Sequence, residues 1–210
     1  LWDGSPRYFN TTMPKIPETI KKVGVFVNAK IEQVINAVEQ YDLDGIQLHG
    51  QEPEAYCKTL YHTNFEQTKT ATNAINTTID TKKVEIIKVF SIHPKSKAYP
   101  YDFSGLEGYL TYCDHFLFDT KGRLPGGNGY VFDWSVLKSY PFQKSFFLSG
   151  GIGLDNAQTI QSFFNAEESM YCHGIDINSK FEVAPGSKNI EQLKKFKALL
   201  NRINTYDHTP

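Results

Sequence analysis

The chain has 210 residues with 22 Lys plus Arg against 23 Asp plus Glu, a formal charge of -1, so nothing points to nucleic acid or an anionic membrane surface as a partner. With 40% hydrophobic and 14% aromatic residues there is enough apolar surface for one sizeable core, which excludes disorder and leaves a small molecule as the expected partner. Three cysteines (Cys57, Cys113, Cys172) without a CxxC pair or metal-ligand spacing argue for a reducing compartment over a disulfide framework.

The chain opens at Leu1 rather than Met and runs straight into Trp2-Asp3-Gly4-Ser5-Pro6-Arg7, a turn-rich stretch that reads as the middle of a fold. Val23-Gly24-Val25-Phe26-Val27 is a short β-branched run, followed by Asn28 and by Ile31, Val34, Ile35 and Val38 at helical spacing. The pattern returns as Gly45-Ile46-Gln47-Leu48-His49 with a helix over 53–61, where Pro53 fits a first turn. Residues 64–83 are rich in Thr and Asn and read as a surface connection. Further strand-then-helix pairs follow at 84–90 with 104–112, 115–118 with 132–139, 145–148 with 155–164, and 171–177 with 190–203. No run approaches the roughly 18 apolar residues of a membrane span, and no secretory leader pattern is present; a cytoplasmic location is expected.

Six strand–helix units of this kind indicate a parallel sheet with right-handed crossovers. Open doubly wound sheets and closed barrels both satisfy that alternation. Nearly every strand, however, ends in polar or small residues: Asn28, Gln47 and His49, Asp119, Ser149-Gly150-Gly151, Asp176 and Asn178. A barrel keeps its site on that rim, whereas an open sheet uses a single switch point. The expected fold is α/β, a TIM (β/α)8 barrel forming one domain over 1–210.

The polar ends supply the candidate chemistry. Gly126-Gly127-Asn128-Gly129 is either a mobile turn or a loop whose backbone approaches a ligand. Ser149-Gly150-Gly151-Ile152 leads into a helix near Asp155, and Asp176-Ile177-Asn178-Ser179 closes the last strand. In barrels, loops at these positions often form a phosphate site; the alternative is that Ser149 and Ser179 are helix caps. Asp119 ends an apolar strand, where desolvation raises a carboxyl pKa toward that of a general acid, although a cap or loop ion pair is equally compatible. His49 reads as a hydrogen-bonded core residue or a pocket group. Arg7 reads as a surface ion-pair partner or a clamp for a carboxylate or phosphate.

Taken together, Ser5-Pro6-Arg7-Tyr8, the strings ending at Asn28 and at His49-Gly50, Phe118-Asp119-Thr120, Gly126-Gly127-Asn128-Gly129, Ser149-Gly150-Gly151-Ile152 and Gly174-Ile175-Asp176-Ile177-Asn178-Ser179 closely resemble, in order, the phosphoribosylanthranilate isomerases. Glu182 and Pro185-Gly186 extend the match. The resemblance implies a (β/α)8 barrel that needs no metal or organic cofactor and performs an Amadori rearrangement in tryptophan biosynthesis. It makes Asp119 the general acid at the ribose ring oxygen, and Arg7 the holder of the anthranilate carboxylate. Gln47, His49 and Asp176 would line the pocket, Gly150, Gly151, Asn178 and Ser179 would cradle the phosphate, and the loop around Gly127 would close over the substrate.

The chain departs from the family pattern in two places. Lys180 stands where Gly is usual, either adding a cation near the phosphate or decorating the rim, with the rim favoured. More seriously, the family's base is a cysteine in a Lys-x-Cys-Gly string ending its first strand, and that string is absent. Cys57 falls in a helix, Cys113 precedes its strand and Cys172 begins one. Six strands against the eight of a barrel give the same reading: the first strand–helix unit and most of the second strand are expected to be missing, and 205–210 form a polar tail that cannot supply them. These 210 residues alone are therefore expected to lack isomerase activity. The competing expectation is a sugar-phosphate-binding barrel that has lost its base. An indole-3-glycerol-phosphate synthase would require a catalytic Lys and Glu where Gln47 and Asp119 stand. Oligomeric state is not legible.

Overall fold

A computed structural model describes residues 15–63, 83–93, 101–120, 131–184 and 186–204, with side chains to 200. Six strands build one parallel sheet: β1 (Val23–Phe26), β2 (Gly45–Leu48), β3 (Glu85–Ile92), β4 (His115–Thr120), β5 (Phe146–Leu148) and β6 (Cys172–Ile175). Their spatial order is their sequence order, each strand pairing in parallel with the next. A doubly wound sheet reverses its order at a switch point, and this one does not, which is the arrangement of consecutive barrel staves. All six expected strands are present.

Alternation along the strands sorts side chains onto two faces. Ile46, Leu48, Ile86, Ile92, Phe116, Phe118, Phe146 and Leu148 face the helices and join the main core with Val34, Val38, Leu60 and Phe163. Ile87, Val89, Leu117 and Phe147 point the other way and form a smaller cluster. The register explains it, because Val89 lies opposite Leu117 and Leu117 opposite Phe147, so one layer of apolar side chains fills the inner face. Beneath that layer, His115 and His173 lie 4.8 Å apart between ring centroids, and His115 Nδ1 is 2.7 Å from Ser145 Oγ.

The helices vary in how completely they form. α1 (Ile31–Tyr41) buries Val34 and Val38 and ends at Asp42 in a left-handed conformation (φ 50°). α2 (Glu54–Tyr61) buries Cys57 and Leu60; Pro53 caps it from one residue before, rather than standing in the first turn as expected. α3 (Ala157–Phe164) is preceded by one 3-10 turn, Leu154–Asn156, and α4 (Ile190–Asn204) is the last described element. The expected helices over 104–112 and 132–139 are instead 3-10 segments, Ser104–Tyr109 and Trp134–Ser139. Gly105 and Gly108 weaken the first. The second runs into Tyr140-Pro141, and the residue before a proline is driven to extended backbone, as Tyr140 shows (φ -66°, ψ 111°). A hairpin that the periodicity did not reveal, β7 (Glu182–Ala184) against β8 (Ser187–Lys188), lies between β6 and α4. The expected surface connection over 64–83 lies, apart from Lys83, outside the described residues.

Candidate active site

The carboxyl ends of the strands converge on one rim. Asp119, buried at the end of β4, takes the backbone N–H of Thr120 on Oδ1 at 2.8 Å and faces His49 Nε2 with Oδ2 at 3.3 Å. His49 is set there by its own backbone, whose N–H donates to Phe26 O of β1 at 2.8 Å. Gln47, two residues earlier, lies opposite Val25 and Ile87 in the register and so shares the inner face with His49.

On the other side of Asp119, Ser149 Oγ donates to Asp176 Oδ2 at 2.9 Å. Burial pushes the Asp176 carboxyl above its ordinary value, the Ser149 hydrogen bond opposes this, and the Asp119 charge raises it further. His49 and Lys188 pull it back down, so Asp119, His49 and Asp176 share one electrostatic environment. Ser149 is not a helix cap: its hydroxyl is committed to Asp176, and Gly153 opens the turn before α3. Ser179 is likewise no cap, since it is the first residue of the 3-10 segment Ser179–Phe181 and Asn178 precedes it.

Gly150 (φ 89°) and Gly151 (φ 64°) form the turn after β5. A Cβ on Gly150 would meet the Thr120 hydroxyl and come 2.7 Å from the Thr120 backbone N, so only glycine lets this turn lie against the residue beside Asp119. The turn is held from below, where Asn156 donates from Nδ2 to Gly151 O and accepts from Gly153 N, both at 2.9 Å. Asn178 presents Oδ1 to Lys188 Nζ at 2.6 Å. Lys180 pairs with Asp155 at 2.5 Å, in keeping with the rim reading, and thereby ties the 3-10 turn before α3 to the segment Ser179–Phe181. The structure thus gathers Gln47, His49, Asp119, Gly150, Gly151, Asp176, Asn178 and Ser179 at the carboxyl end of the sheet. Arg7 and Gly127 lie outside the described residues.

A second set of residues, not evident from the local sequence pattern, supports this rim. Glu52 and Lys88, each only 3% exposed, form an ion pair at 3.0 Å between the sheet and α2. Glu52 also accepts from the backbone N–H groups of Asn28 (2.7 Å) and Gly50 (2.9 Å), while Lys88 donates to Gly50 O (3.0 Å) and Val89 O (3.2 Å). The ends of β1 and β2 and the middle of β3 are therefore knotted around one charge pair. The available signal was a lysine inside the otherwise apolar run Val84 to Phe90, since a charge in a doubly buried strand needs a partner.

The three cysteines stand away from the rim. Cys57, in α2, and Cys113 are both buried, and their interaction lowers the first thiol's pKa and raises the second's. Cys172 begins β6, donates to Gly174 O at 3.3 Å, and burial pushes it up to about 11. Among the described residues no group of three or more metal-ligating side chains gathers, and no helix is long and apolar enough to cross a membrane.

Comparison with known proteins agrees with this arrangement. The family profile described as N-(5'-phosphoribosyl)anthranilate (PRA) isomerase matches residues 5–83 and 71–198. An N-(5'-phosphoribosyl)anthranilate isomerase of Parabacteroides distasonis is 39% identical over 176 residues, covering 84% of this chain and 67% of the relative. The crystal structure of the Thermus thermophilus phosphoribosyl anthranilate isomerase superimposes with a TM-score of 0.64 at 22% identity, over 90% of this chain and 76% of that one. Another such isomerase, solved in complex with reduced 1-(o-carboxyphenylamino)-1-deoxyribulose 5-phosphate, superimposes with a TM-score of 0.57 at 22% identity, over 87% and 72% of the two chains. The strand order, the inner-face layer and the matched residues together make this chain a member of the N-(5'-phosphoribosyl)anthranilate isomerase family, on a (β/α)8-barrel framework.

Proposed function

We propose that the rim converts N-(5'-phosphoribosyl)anthranilate to 1-(2-carboxyphenylamino)-1-deoxyribulose 5-phosphate, with Asp119 as the general acid. The observation that carries the reading is the Asp119–His49 contact at 3.3 Å, on the same rim as the glycine turn with φ 89° and 64°. Because Oδ1 of Asp119 is committed to the Thr120 N–H, Oδ2 is the oxygen that exchanges a proton. It protonates the ribose ring oxygen, the C1'–O4' bond breaks, and the anilino nitrogen's lone pair forms the iminium. Loss of the C2' proton to a base gives an enol-amine, which tautomerises to the ketone with no net change in composition. No described cysteine stands at the rim, so the C2' proton is assigned to no residue of the described set.

Asp176, held by Ser149, and His49 orient the sugar hydroxyls, with Gln47 below them on the inner face. Backbone N–H groups of the Gly150–Gly151 turn and of Asn178–Ser179 cradle the phosphate, because positive-φ glycines let an anion approach the main chain. Arg7 holds the anthranilate carboxylate and the Gly127 loop excludes water. This is a cytoplasmic activity on a small sugar phosphate, carried by one barrel domain, and acid–base steps suffice without a metal or organic cofactor.

The test is steady-state isomerase kinetics of the full-length protein beside Asp119→Asn. A positioned general acid is worth about 10²–10⁴-fold, so kcat falls by that factor while KM changes little. A loss of only a few-fold removes Asp119 from the role.

A further inference from the structure

The hairpin between β6 and α4 belongs to the matched pattern, through Glu182 and Pro185-Gly186, yet the reaction as derived gives it no task. Its geometry does. Glu182 and Lys188 are directly opposed across β7 and β8, and Lys188 Nζ lies 2.8 Å from Glu182 Oε1. Gly186, next to Ser187, which pairs with Ala184, stands at φ 80°, a conformation that favours glycine. The base of the hairpin is fixed by Asn189 N–H donating to Phe181 O at 2.7 Å and by Phe181, fully buried and 5.0 Å from Phe196 between ring centroids. From this anchored position Lys188 Nζ reaches Asn178 Oδ1 at 2.6 Å.

An ammonium group has donors only, so the amide atom facing it has to be the carbonyl oxygen. The Asn178 carboxamide is therefore held in a single orientation, with its NH2 turned away from the lysine and available as a donor. A cation on the carbonyl oxygen also polarises the amide and strengthens those N–H groups as donors. Lys188 lies near enough to the catalytic rim to lower the pKa of Asp176. We propose that Lys188, oriented by Glu182, is a positioning residue of the phosphate anchor: it fixes and polarises the Asn178 side chain for the sugar-phosphate group. The proposal rests on the reading of Asn178 as a phosphate-binding residue.

The experiment uses the full-length protein and two probes, the reduced product analogue carrying its 5-phosphate and the same compound without phosphate, with binding measured by calorimetry. Lys188→Met is expected to weaken the phosphorylated probe about tenfold, the scale of one lost charge-assisted hydrogen bond, and to leave the other probe unchanged. KM for substrate should rise in parallel while kcat stays close to wild type. Lys188→Arg should restore most of the affinity, because a guanidinium also donates to Oδ1. Asn178→Asp tests the underlying reading separately: it keeps an oxygen for Lys188 and removes the NH2 donor, so it should weaken the phosphorylated probe whatever Lys188 does. Weak binding by Asn178→Asp with wild-type binding by Lys188→Met overturns the role of Lys188 and leaves the phosphate site standing. Wild-type binding by both overturns the site and the proposal together. Equal weakening of both probes by Lys188→Met shows a general structural role and also overturns it. Lys188 is partly exposed, and a thermal melt of each variant confirms that folding is retained.

Discussion

Lys88→Met isolates the charge pair beneath the rim. Glu52 and Lys88 are each 3% exposed, so removing the ammonium leaves a carboxylate that keeps only its two backbone donors, Asn28 N–H and Gly50 N–H. Breaking a buried pair on one side costs about 3–5 kcal/mol, against about 0–1 kcal/mol for an exposed one. At about 2–4 °C per kcal/mol for a domain of this size, Tm should fall by roughly 6–20 °C. Thermal unfolding followed by circular dichroism measures this, urea unfolding gives the free-energy loss, and the cycle completed with Glu52→Gln and the double variant should show coupling above about 1 kcal/mol. The consequence reaches the site, because Lys88 donates to the carbonyl of Gly50, the residue after His49. The imidazole is thus presented to Asp119 by a loop that the pair holds. If Lys88→Met costs less than about 1 kcal/mol, the pair is not the knot described and the reasoning fails.

Three further outcomes follow from the same geometry. Gly150→Ala forces a methyl group against Thr120 and a side chain into φ 89°; the positive φ alone costs about 1–2 kcal/mol, and isomerase kinetics should show a larger rise in KM than in Ser162→Ala, an exposed control on α3. Asp176→Asn should stabilise the protein at neutral pH while impairing turnover. The folded-state pKa of Asp176 lies above its unfolded value of 3.8, so the folded state holds its proton more tightly and stability declines as pH rises from about that value through the folded pKa; Tm of the variant should exceed wild type at pH 7 and match it below pH of about 3.8. His115 has the opposite slope. Burial and the neighbouring His173 lower it from 6.5, so its contribution is intact above that pH and is lost as pH falls below it, toward the folded pKa. His115→Gln should flatten the acid limb of a stability–pH curve, and an unchanged limb would place the titration elsewhere.

The strand pattern was readable because short β-branched and aromatic runs, bounded by polar residues and followed by segments at helical spacing, mark strands buried on both faces, as in Glu85–Ile92. Asp119, His49 and Asp176 were readable because polar residues ending such runs have only the rim to occupy. What the local pattern concealed depended on distant partners. The cap alternative for Ser149 arose because capping is a local role, whereas its hydroxyl is used 27 residues away by Asp176. Glu52 and Lys88, 36 residues apart, pair only once two strands are adjacent. The β7–β8 hairpin escaped because strands of three and two residues are too short to display alternation. Apolar spacing predicts helices over the 3-10 segments because it reports which side of a segment is buried and responds weakly to glycine and to a following proline.

A crystal structure of the protein with reduced 1-(o-carboxyphenylamino)-1-deoxyribulose 5-phosphate addresses the central claim most directly. The account places the phosphate within hydrogen-bonding distance, about 2.7–3.1 Å, of N–H groups at Gly150–Gly151 and Asn178–Ser179, and puts Asp119 Oδ2 at the same range from the oxygen that had closed the furanose ring. A phosphate bound away from those two turns, or a sugar out of reach of Asp119, contradicts it.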